Sequence, residues 1–242
     1  MINRLRTTGY QIEFVSHAKA ILEADFPSAM QEIGECLLDF RIPIHEIIGS
    51  GGGEAQGTQR LRNALNEKGW IKLNFEIKKI INGIEKESIS HEVDHVKTFD
   101  NNSTIALEIE WNNKDPFFDR DLENFKRLHA EGAISVGVII TRGTTLQSSL
   151  KEHVQQYARD NNLGSIIDLR NAGISLTDRQ DRIIQNNLQN MTFSEAWAKQ
   201  FVSDKFGEAT THWRKLEDRV SRGVGNPCPL LLIGIPSSVI VH

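Results

Sequence analysis

Thr104-Ile105-Ala106-Leu107-Glu108-Ile109-Glu110-Trp111 is the stretch on which the fold turns. Side-chain direction along an extended chain repeats every two residues. Ile105, Leu107, Ile109 and Trp111 therefore share one face, and Glu108 and Glu110 share the other. Upstream, Asp100-Asn101-Asn102-Ser103 is a turn cluster, preceded by a second extended run, His91 to Phe99. Farther back, Trp70 to Ile81 sets Ile71, Leu73, Phe75 and Ile77 against Lys72, Asn74, Glu76 and Lys78. That run is also of period two, and Asn82-Gly83 closes it as a hairpin turn. Three strands with short connections predict an antiparallel meander.

Downstream the period changes. Asp119 to His129 places Leu122, Phe125 and Leu128 on one helical stripe and Asp119, Arg120, Asp121, Glu123, Lys126 and Arg127 elsewhere, and Ala133 to Thr141 is a continuous apolar run suited to a buried strand. Thr144 to Asn161 reads as a helix and Ser165 to Leu169 as a short strand. Helices follow near Thr177 to Leu188, Ser194 to Phe201 and Glu208 to Val220, and then comes apolar Leu230 to Ile235. The first forty residues read as helices, with Phe14, Ala18, Ile21 and Leu22 at helical spacing. The expected fold class is α/β, a single domain with a central mixed β-sheet (antiparallel meander plus parallel strand) flanked by helices.

Composition sets the outer limits. The chain has 242 residues, 39% hydrophobic and 25% charged, which excludes wholesale disorder and a coiled-coil rod. Lys and Arg number 28 against 32 Asp and Glu, so any nucleic-acid contact needs basic residues clustered on one surface. Cys36 and Cys228 form no paired motif, arguing against a zinc ribbon or disulfide scaffold. No apolar stretch follows Arg4 and Arg6, and no run approaches the roughly 18 apolar residues of a membrane span. The expectation is a cytoplasmic protein with no membrane partner. Gly49-Ser50-Gly51-Gly52-Gly53 lacks the Gly-Lys-Ser/Thr ending of a phosphate loop and reads as a surface loop, or one that orders against DNA.

The chemistry concentrates on the meander. Strict alternation puts Glu92 and Asp94 on one face of their strand, with His91, Val93 and His95 on the other. A hairpin then brings Asp94 beside Glu108 and Glu110. Like charges side by side on a sheet are costly unless a cation neutralises them. Hard oxygen donors select magnesium or manganese over zinc. A rival reading overlaps: His91-Glu92-Val93-Asp94-His95 matches H-E-x-x-H, which on a helix makes a zinc peptidase site using His91, Glu92 and His95. In an extended segment Glu92 points away from the histidines, and that site cannot form.

Asp94 followed by Glu108-Ile109-Glu110 resembles the PD-(D/E)xK nucleases, in which an aspartate and an E-x-K on adjacent strands hold magnesium. More narrowly, Glu108-Ile109-Glu110-Trp111-Asn112-Asn113-Lys114-Asp115, continued through Asp119-Arg120-Asp121-Leu122, resembles type II restriction endonucleases of the BglII, BstYI and BamHI group. Ile134 to Arg142 is similar too. The resemblance is best over Gly69 to Arg142, with weaker support to Gly234. It departs from the superfamily pattern twice: Glu110 replaces the motif lysine, and Val93 replaces the proline before the aspartate.

The resemblance implies Mg2+-dependent hydrolysis of double-stranded DNA at a palindrome with a central GATC, by a homodimer, with Mn2+ able to substitute. Asp94 and Glu108 would hold the metal, and Glu110 would orient or deprotonate water. A fourth residue is expected on the preceding strand. Counting back across the hairpin selects Glu76, with Asn74 next on the same face. A catalytic core at about 69–170 and DNA-contacting helical elements at about 171–242 would lie within one domain spanning 1–242. Candidate DNA contacts are Lys114, Arg214, Arg219, Arg222 and Asn226; Arg170, Arg179 and Arg182 form another basic set. Besides the zinc peptidase, the alternative is a catalytically idle DNA-binding relative.

Overall fold

The computed structural model describes residues 1–49, 53–100 and 102–242; the centre of the glycine run, 50–52, and Asn101 of the turn cluster lie outside them. The chain begins with α1 (Ile2–Thr7), β1 (Gln11–Val15), α2 (Ala18–Asp25), α3 (Pro27–Leu38), β2 (Ile42–Pro43), α4 (Ile44–Gly49) and α5 (Gln56–Glu67). The meander follows as β3 (Ile71–Ile81), β4 (Ile84–Thr98) and β5 (Thr104–Glu110). Next come α6 (Phe117–Ala130), β6 (Val136–Arg142), α7 (Thr144–Asp160), α8 (Ile166–Asn171), α9 (Asp178–Asn187) and α10 (Phe193–Phe206). The chain closes with α11 (Trp213–Ser221), β7 (Leu230–Ile235) and β8 (Ile240–Val241).

Six strands form one mixed sheet in the order β1-β7-β6-β5-β4-β3. Strands β5, β6 and β7 are parallel, whereas β3, β4 and β5 form the antiparallel meander and β1 runs antiparallel on the far edge. The expected α/β class and mixed sheet are what the chain adopts. Strand β7, from the last stretch of sequence, inserts between β1 and β6, so the C-terminal segment belongs to the same sheet layer.

Both faces of the sheet are buried. Ile105, Leu107, Ile109 and Trp111 face α3, α5, α7 and α10 in the larger core. Ala106, Ile139, Leu230 and Leu232 face Phe118, Leu122, Phe125 and Leu128 of α6 and Trp213 and Leu216 of α11 in the smaller one. Gly137 is required here, because a Cβ on it would meet the Phe125 ring at 2.4 Å.

Two local expectations are corrected. Gln11–Val15, read as helical, is edge strand β1, which pairs Gln11 with Gly234 and Val15 with Leu230. Ser16 and His17, at φ 51° and 65°, separate it from α2. Ser165 to Leu169, read as a strand, starts helix α8: the Ser165 side chain accepts from the Asp168 N–H, capping the first turn.

Candidate active site

Strand β5 delivers the two carboxylates that its alternation foretold. Glu108 and Glu110 lie on the α6 side of the sheet, each only 3% exposed. The β4–β5 pairing of His95 with Leu107, continued by one residue, sets Asp94 beside Glu108. Glu110 is held firmly: Asn113 Nδ2 donates to its Oε2 at 2.9 Å, and the Thr141 hydroxyl donates to its backbone carbonyl at 2.7 Å. Just beyond the strand, Arg142 is wholly buried and donates to the carbonyls of Trp111 and Thr211, to Thr210 Oγ1 and to Gln147. It thereby pins the end of β5 to α7 and to the chain entering α11.

A third buried carboxylate comes from α6. Asp121 is wholly buried; Arg120 Nε donates to its Oδ1 at 2.8 Å, while its Oδ2 has no nitrogen donor among the described residues. This corrects the expectation that Asp121 lies off the apolar stripe: it is buried three residues after Phe118 and four before Phe125, on the inner side of α6. A carboxylate on that stripe needs a partner in the protein or a ligand.

His91 also reaches this side, contrary to strict alternation. The β3–β4 register passes from Leu73 opposite Val93 to Ile71 opposite Val96, so Asp94 and His95 face the single residue Lys72. This β-bulge reverses the parity of the strand. Val93 and Val96, three residues apart, accordingly pack in the same core. Donor atoms of His91, Glu108 and Asp121 all lie within 4.8 Å of one another. The Asn124 amide contacts the His91 ring nitrogens at 2.9 and 3.0 Å.

The electrostatics follow from burial without enough counter-charge. Burial, then Asp121, Asp94 and Glu110, raise the Glu108 carboxyl well above the usual carboxylate range. Burial and then Asp121 push Glu110 to about 8. Asp121 is raised by burial, partly offset by Arg120. Burial, Arg120 and Arg127 lower His91, favouring the neutral ring. Arg120 Nη2, at 3.8 Å from Glu110 Oε1, and Lys72, at 3.3 Å from Asp94, are the flanking cations, both on half-exposed side chains. Three buried carboxyl groups of this kind suit a divalent cation, which would let all of them ionise.

Glu76 does not lie opposite Asp94. The hairpin turns tightly at Asn82-Gly83, pairing Ile81 with Ile84, and a register shift between Lys79 and Ile80 then sets Glu76 opposite Ser90 and Asn74 opposite Glu92. The expected turn at Gly83 to Lys86 was too wide, and the bulge gives the place beside Asp94 to Lys72. Glu76 pairs with Lys78 at 3.1 Å on the exposed hairpin. The zinc peptidase reading fails on geometry, since His91 to His95 lies within strand β4 rather than on a helix.

Of the basic candidates, Arg219 is corrected most. It is 8% exposed and bonded to Asp119 at 2.8 Å and Asp115 at 3.4 Å, holding α11 against the start of α6. Lys114 is exposed and its backbone bridges to Thr210, beside the carboxylates' strand end. Arg214 and Arg222 are exposed and paired with Glu208 and Asp218. Asn226 lies in the turn after α11, near Ser16. Arg170 and Arg179 pair with Asp181 and Asp204.

A mixed sheet flanked by helices, with acidic side chains gathered where its central strand ends, defines the α/β fold of a restriction endonuclease. Residues 10–235 match the family model of restriction endonuclease BglII/BglIII, and the chain belongs to that family. Membership implies a nuclease acting on DNA. No curated protein matches the chain. Among the described residues, no helix is long and apolar enough to cross a membrane.

Proposed function

We propose that the protein is a type II restriction endonuclease that hydrolyses phosphodiester bonds in double-stranded DNA at a palindromic site. The observation that carries this reading is the buried Glu108–Glu110–Asp121 set, short of cations and adjoining Asp94. It supports placing the chain in the PD-(D/E)xK superfamily with the BstYI and BamHI enzymes as well as BglII.

Asp94 and Glu108 hold the divalent ion, Mg2+ with Mn2+ as substitute. When bound, that ion polarises the scissile phosphate and lowers the pKa of a coordinated water. Glu110 supplies the proton acceptor. With Oε2 occupied by Asn113, its Oε1 takes the proton of the attacking water, and Arg120 beside Oε1 balances charge at the phosphate. Lys114, Arg214, Arg222 and Asn226 would supply the DNA contacts, Arg214 and Arg222 exchanging Glu208 and Asp218 for phosphates. The C-terminal elements at about 171–242 thus serve contact, and those at about 69–170 serve chemistry.

A homodimer follows from the substrate. A two-fold protein reads a palindrome with one gene product and cuts each strand once. A central GATC fits the family. The test is incubation of the purified protein with plasmid DNA and Mg2+, sequencing of the cut ends, and light scattering with the cognate duplex. Discrete fragments with a common end sequence and a dimer on DNA are expected. Specific binding without cutting would mean an idle relative; no specific binding or cutting would defeat the reading.

A further inference from the structure

We infer that the cation held by Glu108 is also held by His91 and Asp121, a mixed nitrogen–oxygen site that prefers Mn2+ over Mg2+. The inference rests on the nuclease reading above and extends it to ligand identity and metal preference.

The geometry brings three elements to one point. The bulge in β4 turns His91 toward Glu108 on β5, while the apolar stripe of α6 carries Asp121 into the same buried space. The three donor atoms span at most 4.8 Å. Metal–ligand bonds of roughly 2.1 Å place two donors about 4.2 Å apart across an ion. Only one pair can be trans; cis donors sit about 3 Å apart, so side-chain rotation draws the remaining donors in by up to about 2 Å.

Two further observations point to a ligand. Asp121 Oδ2 is buried without a nitrogen donor among the described residues, although the residue is wholly enclosed. Asn124, one helical turn beyond Arg120, contacts the His91 ring. The oxygen and nitrogen of an amide are interchangeable in assignment. Turned with Oδ1 inward, Asn124 accepts the proton of one ring nitrogen and leaves the other to face the carboxylates. Ligating histidines are commonly oriented in this way. An imidazole suits transition cations, whereas Mg2+ strongly favours oxygen. Replacing one oxygen ligand by His91 therefore shifts preference toward Mn2+.

The test uses the whole protein, stripped of metal and loaded with Mn2+ alone. Pulsed EPR should show nitrogen hyperfine coupling to the bound ion in the wild type and lose it in His91→Asn. Calorimetry should give Mn2+ an affinity at least about tenfold above Mg2+, a ratio that falls in His91→Asn. Asp121→Asn should weaken Mn2+ binding by about tenfold or more, and Asn124→Ala by about tenfold. Tight Mn2+ binding without nitrogen coupling in the wild type would overturn the inference, whatever the folding of the variants. So would coupling that survives His91→Asn. Either result would leave DNA cleavage, and hence the nuclease reading, intact. Nitrogen coupling in a protein that neither binds nor cuts DNA would instead defeat the nuclease reading alone.

Discussion

Strand β5 and the outer half of the β3–β4 hairpin are both built from alternating sequence, yet they live in opposite environments. Ile105 and Leu107 of β5 are wholly buried, whereas Ile80 and Ile84 near the hairpin tip are 61% and 58% exposed. On β5 both faces meet helices, so its glutamates are drained of water and their proton affinity rises. On the hairpin, Glu76 and Glu87 are exposed, with no helix over the tip among the described residues. The same residue type is chemically poised in one strand and bland in the other. Strand β4 runs from one regime into the other, and His91 and Asp94 lie at the crossing, where the bulge occurs.

Four measurements put this contrast to the test. The largest effect is expected at Glu108: Glu108→Ala should lower plasmid cleavage by on the order of a thousandfold or more, about 4 kcal/mol in the barrier. Specific binding in a gel shift should persist, because losing a carboxylate also relieves repulsion toward phosphate. Glu76→Ala, on the hairpin, should cut within about twofold of wild type. Equal losses from both replacements would erase the distinction between the strands.

Arg142→Met should cost about 3 kcal/mol in chemical denaturation, since it orphans the buried carbonyls of Trp111 and Thr211. A loss below about 0.5 kcal/mol would show that the end of β5 is not pinned as described.

The third test is pH. Glu110 has a native pKa of about 8, above its unfolded value, so the native state retains a proton that the unfolded chain releases. That contribution is complete below about pH 4.5 and lost as pH rises through 8. His95 and His212, lowered by burial to about 4, act in the other direction, losing stability as pH falls from 6.5 through 4. Between pH 6.5 and 8 the histidines no longer contribute, and Lys205, lowered by burial to about 8, opposes the carboxyl effect only near the upper end. Metal-free protein should lose about 2 kcal/mol there. Glu110→Gln or saturating Mn2+ should flatten the slope, and a slope unchanged by both would contradict the raised Glu110 carboxyl.

The smallest effect belongs to the hairpin tip: Ile84→Thr should change stability by less than about 0.5 kcal/mol. A larger loss in a urea titration would reveal packing on that surface, such as a second subunit.

By itself the sequence determined what depends on neighbours along the chain. Period two in Ile71–Ile77 and Thr104–Trp111 specified strands; Asn82-Gly83 specified a turn; the pairing of Glu108 with Glu110 followed from alternation alone. Asp121 reads as a polar position among the charged residues of α6, and its burial came only with the packing of that helix on the sheet. Tertiary structure alone decided the rest. One extra residue in β4 opposite Lys72 reversed the parity of the strand and moved His91 to the side of Glu108, while the tight turn and a register shift near Lys79 left Glu76 beside Ser90. Gln11–Val15 became a strand because β7 offered an edge, and Arg219 was withdrawn from the surface by Asp115 and Asp119. Alternation and turn chemistry act between residues a few positions apart. A bulge, an edge pairing or a buried ion pair depends on partners brought together only when the sheet and its helices close.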